Sequence, residues 1–415
     1  MRWERFPAFL PLVLKSKLTY RVAGLALRYL GGRMSPYQLA AVKGVMSELG
    51  DAYSGRKPVI FTSAFVPTEI VYGLGAVPYL PEMWSGFAAA FGVSVRGIDE
   101  SEAKGYSQDL CSFHRCHLGL EELSLLPKPS AIIVSSHLCD GGRRSLYAHS
   151  VSTGCPFYVV DVPYLMTDSS VRWLSCQVER ICEDISRRVP GLSLDGMARA
   201  IENSNRARKI YLDVCQLRRN KPAPWSGSEA LNYVFAFLSG WGSEWLVDFY
   251  ANLGKTLKQR IEQSNYPVPQ ERLRLLWLNL KPYYGSPLFQ YLAQWGVSVA
   301  FEEYSYVYWP EMHERRWAEG VATKMLSNFG WGPIERRLDA VWNMVNDYGV
   351  DGVVQFDQWG CRQSNGGARV LADFLREKGI PFLELDGDGV DPRNSSVAQA
   401  LTRLQAFIEV MDARG

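Results

Sequence analysis

Three cysteines of this chain lie in polar or glycine-rich loops: Cys111, Cys139 and Cys361. Each of them follows a predicted strand or begins a predicted helix. The positive end of a helix dipole stabilises a thiolate, and thiolates are soft ligands that select zinc, copper(I) or iron–sulfur clusters. A lone free cysteine is often only a small core residue. Three of them in such loops favour one shared metal site with an open fourth position.

The other five cysteines have different surroundings. Three fall within helical patterns and are predicted to pack in the core: Cys176, Cys182 and Cys215. Cys155 is also predicted to pack, whereas Cys116 lies about one helical turn beyond Cys111 and is a further candidate ligand. No C-x-x-C pair occurs in the sequence, which excludes the common zinc patterns. In a chain expected to be cytoplasmic, all eight cysteines are expected to be reduced.

Short β-rich runs alternate with helical segments around the three cysteines. The predicted strands cover residues 59–62, 77–80, 131–135, 157–161, 273–278, 297–301, 350–356 and 381–385. Several of these runs are apolar on both faces, which is typical of parallel strands covered by helices on each side. The pattern predicts an α/β fold.

The two strand-rich parts of the chain repeat one motif. Residues 154–161 and 379–386 both read G-x-P-F-x-x-x-D, and a strand leading to Cys139 or Cys361 precedes each of them. Two matches in the same order predict two related doubly wound domains with parallel sheets. Because ligands bind beyond the carboxyl ends of such strands, the two cysteines are expected to face each other across a cleft.

These patterns divide the 415 residues into four parts. Residues 1–57 form an N-terminal helical segment with a break at Gly31-Gly32. Residues 58–168 form the first α/β domain, which carries Cys111 and Cys139. A helical insert covers residues 169–270, and a second α/β domain with Cys361 covers residues 271–415.

Charge and motifs argue against several classes of function. The formal charge of +2 and the lack of a basic run with aromatics predict no nucleic-acid partner. The apolar stretch at 6–14 is too short to span a bilayer, so no membrane association is expected. The sequence Leu-Gly-Lys-Thr at 253–256 fails as a phosphate-binding loop because Phe249 occupies the position of the required glycine.

Several stretches near the cysteines resemble the family of 2-hydroxyacyl-CoA dehydratases and benzoyl-CoA reductases, specifically their cluster-binding catalytic subunits. The matching stretches are residues 64–78, 109–113, 139–141, 160–163, 361–362, 379–381 and 401–409, with Asp388, Asp391 and Arg393 before the last. They occur in order from about residue 58 to the end of the chain. No single stretch is decisive, but their order supports the assignment.

The resemblance implies a catalytic subunit that holds a 4Fe-4S cluster on Cys111, Cys139 and Cys361. A separate ATP-hydrolysing iron–sulfur activator protein would supply one low-potential electron, and a homologous second subunit or a second copy would complete the enzyme. The carbonyl of an acyl-CoA substrate would bind at the open iron and be reduced to a ketyl radical. The reaction is then either 2-hydroxyacyl-CoA dehydration, which returns the electron, or aromatic acyl-CoA reduction, which keeps it.

Three alternatives remain at this point. A related branch, the double-cubane cluster proteins, reduces small molecules with two joined four-iron units. That cluster needs about six thiolates, so Cys116 and Cys155 would have to join the site. The other two alternatives are a non-catalytic protein that carries a cluster for electron transfer, and a cluster-free α/β binding protein.

Further polar residues are candidates for the same site. Four arginines beside the cysteines are candidates for binding the anionic CoA or the activator: Arg115, Arg143, Arg144 and Arg362. Three residues at a strand-to-helix junction are candidates for a polar or proton-transferring role: Ser63, Thr68 and Glu69. Three histidines flank the cysteine loops and could tune or gate a cluster: His114, His117 and His137. His149 has no comparable sequence context.

Overall fold

The predicted strands form two four-stranded parallel sheets in a computed structural model, which describes residues 34–413. The predicted break at Gly31-Gly32 and the helix before it lie outside the described residues. Helix α1 (Pro36–Ser54) precedes the first sheet. The strands of this sheet are β1 (Val59–Thr62), β2 (Val77–Tyr79), β3 (Ala131–Ser135) and β4 (Phe157–Val160). Its helices are α2 (Glu69–Gly73), α3 (Pro81–Ala90), α4 (Ser94–Ala103), α5 (Ser112–Glu122) and α6 (Asp140–Thr153).

A helical region follows the first sheet and leads to the second. Its helices are α7 (Asp168–Arg188), α8 (Met197–Arg218), α9 (Gly227–Asn232), α10 (Val234–Ser239) and α11 (Glu244–Glu262). Residues 253–256 lie inside α11, which confirms that they are helical. The helices of this region pack beside both sheets, because α8 contacts α2 and α9 contacts a strand of the second sheet.

The second sheet repeats the topology of the first. Its strands are β5 (Leu273–Leu278), β6 (Val297–Glu302), β7 (Gly352–Gln358) and β8 (Phe382–Gly387). Its helices are α12 (Leu288–Gln294), α13 (Trp317–Leu326), α14 (Glu335–Tyr348), α15 (Arg362–Asn365), α16 (Ala368–Glu377) and α17 (Val397–Asp412), with 3-10 turns at Glu303–Ser305, Glu314–Arg316 and Pro392–Asn394.

The strand orders are β2-β1-β3-β4 and β6-β5-β7-β8, so each strand of one sheet has a counterpart in the other. The repeated G-x-P-F motif starts the last strand of each sheet, where Phe157 pairs with Ile132 and Phe382 pairs with Val353. The predicted fold class, two related doubly wound α/β domains, is confirmed.

Both faces of each sheet are covered by apolar side chains. Phe61 and Val134 belong to one buried cluster, while Ile60 and Ile133, their neighbours along the strands, belong to another on the opposite face. Successive side chains of a strand point to opposite faces, and a sheet covered on both sides therefore has continuous apolar strands. Within residues 34–413, no helix has the length and hydropathy needed to cross a membrane.

One core prediction is wrong. Cys182 and Cys215 are buried, as expected, but Cys176 is exposed. The buried stripe of α7 runs through Leu174, Val178 and Cys182 at helical spacing. Cys176 lies off this stripe and therefore faces solvent.

Candidate active site

The three cysteines line one cavity of about 420 Å³. Cys139 follows β3 and directly precedes α6, whereas Cys361 follows β7 and directly precedes α15. Cys111 directly precedes α5. The cavity lies where loops of both sheets meet α10, and its wall is largely aromatic. Wall residues from the three parts of the chain include Phe65, Phe87, Phe235, Phe237, Tyr304 and Phe329.

The three thiols are close enough to affect one another electrostatically. Burial raises the pKa of Cys111 well above its usual range, and Cys361 and then Cys139 raise this pKa further. Burial also raises the pKa of Cys139 to about 12, with a further contribution from Glu82. The backbone N–H of Gly142 donates a hydrogen bond to Cys139 Sγ at 3.3 Å. The metal-free cavity therefore holds neutral thiols, which would lose their protons on binding a metal.

The donor set fits a cluster better than it fits a single ion. Among residues 34–413, no three Cys, His, Asp or Glu side chains converge at distances suited to one metal ion. A cluster takes each thiolate on a different iron, so its cysteines lie farther apart than the ligands of one ion. Three cysteines on one wall match that arrangement and leave the fourth position toward the cavity.

Gly360 allows the cysteine loops of the two halves to approach each other. Its φ is +76°, and a Cβ built on it would lie 2.9 Å from Cα and 3.0 Å from N of Cys111. Both contacts are with backbone, which cannot move aside as the end of a side chain can. A glycine is therefore required between Cys111 and Cys361.

Replacing Gly360 with Ala is expected to push the Cys111 loop away and to lower iron retention by at least half after reconstitution. Gly154→Ala is the matched control, because Gly154 has a similar φ of +69° but no atom within 4 Å of its built Cβ. Both variants carry the same kind of backbone strain, about 1 kcal/mol. Equal iron retention in the two variants would contradict a role for the close approach.

The residue before Cys139 is also strained. Leu138 has φ +67°, an uncommon conformation for a residue that is not glycine, and it lies on the cavity wall. Such a conformation costs about 1–3 kcal/mol and persists where the surrounding structure enforces it. It turns the chain sharply between β3 and α6 and thereby presents Cys139 to the cavity.

A buried polar network holds the first turn of α5 against the second domain. Asp388 Oδ1 accepts hydrogen bonds from Ser112 Oγ at 2.5 Å and from the backbone N–H of Val390 at 2.9 Å. Gln358 Nε2 donates to Ser112 Oγ at 3.1 Å and lies 3.9 Å from Cys111 Sγ. These bonds fix Cys111, from the first half, at the carboxyl end of β7.

Glu82 is a wall residue that the sequence analysis missed. It is buried, and among the described residues no side chain donates a hydrogen bond to either of its carboxyl oxygens. Burial raises its pKa to about 7. Its signal in the sequence was weak: a lone acidic residue just past β2, at the end of the sheet where ligands bind. It is a protonatable group at the cavity surface.

The predicted polar trio lies off the cavity wall. Ser63 Oγ accepts a hydrogen bond from the backbone of β3 at 3.3 Å, and Thr68 donates to the carbonyl of Trp241 at 2.9 Å. Glu69 pairs with Lys324 Nζ at 2.7 Å. These contacts join parts of the fold to one another, and a catalytic role for the three residues stays a prediction.

The arginines differ in exposure. Arg115 is buried and donates to the carbonyl of Leu110 at 2.9 Å. Arg143 is partly exposed, and Arg144 is exposed on the same turn of α6. Arg362 is 83% exposed and pairs with Asp140 Oδ2 at 2.7 Å, which links the starts of α6 and α15. Of the four, Arg143, Arg144 and Arg362 are accessible to a ligand or partner.

The two additional candidate ligands do not line the cavity. Cys116 is fully buried on the side of α5 that faces α4, where a Cβ built on Gly97 would lie 3.4 Å from its Sγ. Cys155 is half-buried, and its Sγ accepts a hydrogen bond from Thr153 Oγ1 at 3.2 Å. All eight cysteines lie within the described residues, and three of them are on the wall.

Two similar parallel sheets around a cysteine-lined apolar cavity define a two-domain α/β protein with a candidate active site between its halves. A family model described as 2-hydroxyglutaryl-CoA dehydratase, D-component, matches residues 63–411, and the chain belongs to this family.

Three relatives illustrate the family. The (R)-phenyllactyl-CoA dehydratase alpha subunit of Clostridium sporogenes is 25% identical, over 84% of this chain and 88% of its own length. The alpha subunit of the (R)-2-hydroxyglutaryl-CoA dehydratase of Acidaminococcus fermentans is also 25% identical, over 69% and 61%. One subunit of the benzoyl-CoA reductase of Thauera aromatica is 22% identical, over 88% and 91%. The relatives are thus subunits of enzymes that are either lyases or oxidoreductases.

Proposed function

We propose that this chain is the iron–sulfur catalytic subunit of a radical acyl-CoA enzyme, with a 4Fe-4S cluster on Cys111, Cys139 and Cys361. The observation that carries the proposal is the position of these three thiols on the wall of one apolar cavity. They come from both halves of the chain, and no other cysteine joins them there. The reaction is 2-hydroxyacyl-CoA dehydration or aromatic acyl-CoA reduction.

The cavity supplies what such chemistry requires of the protein. The bound cluster would supply an electron and a Lewis-acidic iron to the thioester carbonyl. The aromatic wall packs an apolar acyl group and excludes water, which protects a radical from side reactions. Glu82, with its pKa raised to about 7 by burial, holds a proton beside this space.

The entrance supports an anionic ligand or partner. Arg143, Arg144 and Arg362 are accessible beside the cysteine loops, and Arg362 already binds one carboxylate, that of Asp140. Guanidinium groups suit phosphate and carboxylate groups. They would bind the CoA phosphates or dock the ATP-hydrolysing activator, whose nucleotide-binding motif this sequence lacks.

A second subunit is supported by an apolar surface beside the edge strand β4. Trp173 lies near Val159 of this strand, and Tyr147 packs against Phe157; all but Phe157 are exposed, as is Val151. Clustered exposed apolar residues mark protein interfaces. We assign this surface to a homologous subunit or a second copy of the chain.

The double-cubane alternative is weaker on the same grounds. It requires more thiolates than the three on the wall, and Cys116 is directed toward α4. Moving Cys116 to the cavity would require α5 to rotate and would break the Ser112–Asp388 hydrogen bond.

Anaerobic purification and reconstitution, followed by iron and acid-labile sulfide assays, tests the proposal. The expected result is about four irons and four sulfides per chain. A value near eight would favour the double-cubane cluster. Less than one iron per chain after careful reconstitution would rule out the cluster and leave a cluster-free binding protein.

A further inference from the structure

The contact between helices α5 and α6 contains three imidazoles where apolar side chains are usual. His114 and His117 project from α5, and His149 projects from α6. All three are buried: His117 and His149 are 0% exposed and His114 is 3% exposed. Because a buried polar group without a partner is costly, their partners determine what this contact does.

The imidazoles form a continuous hydrogen-bonded row. His114 Nδ1 lies 3.3 Å from His117 Nε2, and His117 Nδ1 lies 2.8 Å from His149 Nε2. The rings of His117 and His149 are inclined by only 27°, so their nitrogens meet nearly edge to edge. Ser145 Oγ lies within 3.3 Å of both His114 Nδ1 and His117 Nε2. No gap separates one ring from the next.

The two ends of the row open to different environments. His114 lies on the cavity wall, with its Nε2 3.3 Å from Cys139 Sγ. At the other end, His149 Nδ1 lies against the carboxylate of Glu121. The Glu121 side chain is 22% exposed, so it exchanges protons with solvent. The row therefore connects the buried cavity with the protein surface.

We propose that Glu121, His149, His117 and His114 form a proton relay between solvent and the cavity. The assignment of a proton requirement to the cavity rests on the proposed function, whereas the relay itself rests on the geometry of the row. Dehydration removes one proton from the substrate and adds one to the departing hydroxyl, and reduction adds protons, so either reaction moves protons in a water-excluded space.

Each transfer along the row is balanced. When every ring carries its proton on Nδ1, His114 Nε2 accepts a proton from a cavity group. The Nδ1 protons of His114 and His117 pass to Nε2 of the next ring, and that of His149 passes to the Glu121 carboxylate. Four bonds to hydrogen form and four break, one proton moves out, and no imidazole is left charged. The reverse sequence delivers a proton to the cavity.

Neutral rings are the form that this mechanism needs. Burial, with His149 and His114 as further causes, lowers the pKa of His117 well below its usual value. Burial lowers that of His114 to about 4. A proton crosses such a row by exchange of tautomers, without a buried imidazolium.

Glu121→Gln tests the surface end without touching the cavity. The amide preserves size and hydrogen bonding but cannot exchange a proton. In the reconstituted enzyme, kcat with an acyl-CoA substrate is expected to fall about 100-fold, with unchanged KM and iron content and a larger solvent deuterium isotope effect. The control is Glu122→Gln, because Glu122 is adjacent and its carboxylate pairs with Lys104 outside the row. Equal kcat for the two variants would overturn the relay.

A second readout needs neither cluster nor turnover. Nitrogen-15 NMR of histidine-labelled, metal-free chain reports which ring nitrogen carries the proton. All three rings are expected to be in the same tautomer, because opposite tautomers would place two N–H groups or two lone pairs against each other. A mixed pattern would overturn the relay even if the enzyme is active. If iron-loaded chain turns over no acyl-CoA, the proposed function fails, and the tautomer pattern still decides whether the row is continuous.

Discussion

Replacing Cys361 with Ser is expected to reduce bound iron from about four atoms per chain to less than one. Cys361 is the one wall cysteine from the second half of the chain, and its loss leaves two thiolates on one side of the cavity. A serine hydroxyl is a harder and far less acidic ligand, so it does not replace the thiolate. Iron, sulfide and visible absorbance after anaerobic reconstitution measure the effect.

Two matched variants make this result specific. Cys176→Ser changes an exposed cysteine and is expected to leave the iron content unchanged. Cys116→Ser changes a buried cysteine next to the site and is also expected to keep all iron, with at most a small loss of stability. Intact spectra in Cys361→Ser would remove Cys361 from the ligand set, and loss of half the iron in Cys116→Ser would restore the double-cubane alternative.

Replacing Glu69 with Gln is expected to lower the free energy of unfolding by about 3–5 kcal/mol. The carboxylate of Glu69 is completely buried and accepts hydrogen bonds from Lys324 Nζ and Ser204 Oγ, both at 2.7 Å. Lys324 Nζ also lies 4.2 Å from the ring centroid of Trp309. Removing Glu69 leaves the ammonium group buried without a counter-charge. Urea denaturation measures the loss.

The controls separate a structural role from a catalytic one. Asp373→Asn disrupts an exposed pair with Arg369 and is expected to cost less than about 1 kcal/mol. The double variant Glu69→Gln/Lys324→Met removes both charges and is expected to recover part of the stability lost in Glu69→Gln. Native stability together with lost turnover in Glu69→Gln would instead place Glu69 in the chemistry.

The sequence contained enough information to predict the sheets because their signal is local. Runs apolar on both faces identify strands covered on each side, and the repeated G-x-P-F motif marks the last strand of each sheet. The positions of Cys139 and Cys361 followed, since the carboxyl ends of parallel strands meet at one edge. Cys111 depended more on family resemblance, because its loop carries no such repeat.

The rest of the site depends on how helices and loops are oriented in three dimensions. Glu82 and Gln358 reach the cavity only when two loops distant in sequence come together. The histidine row was missed because His149 had no context in its own helix. Its spacing of four from Ser145, and that of His114, His117 and Glu121 on α5, place each set on one helical face. Only the packing of α5 on α6 shows that the two faces meet.

The construction of the cavity from both halves of the chain also sets an order of events during biosynthesis. Cys361 follows Cys139 by 222 residues, so at ~5–20 residues per second it leaves the ribosome roughly 10–45 s later. During that interval the nascent chain presents two reduced thiols and no complete site. Cofactor insertion must therefore follow translation, and the delivery machinery must meet a finished polypeptide before oxidants reach its cysteines.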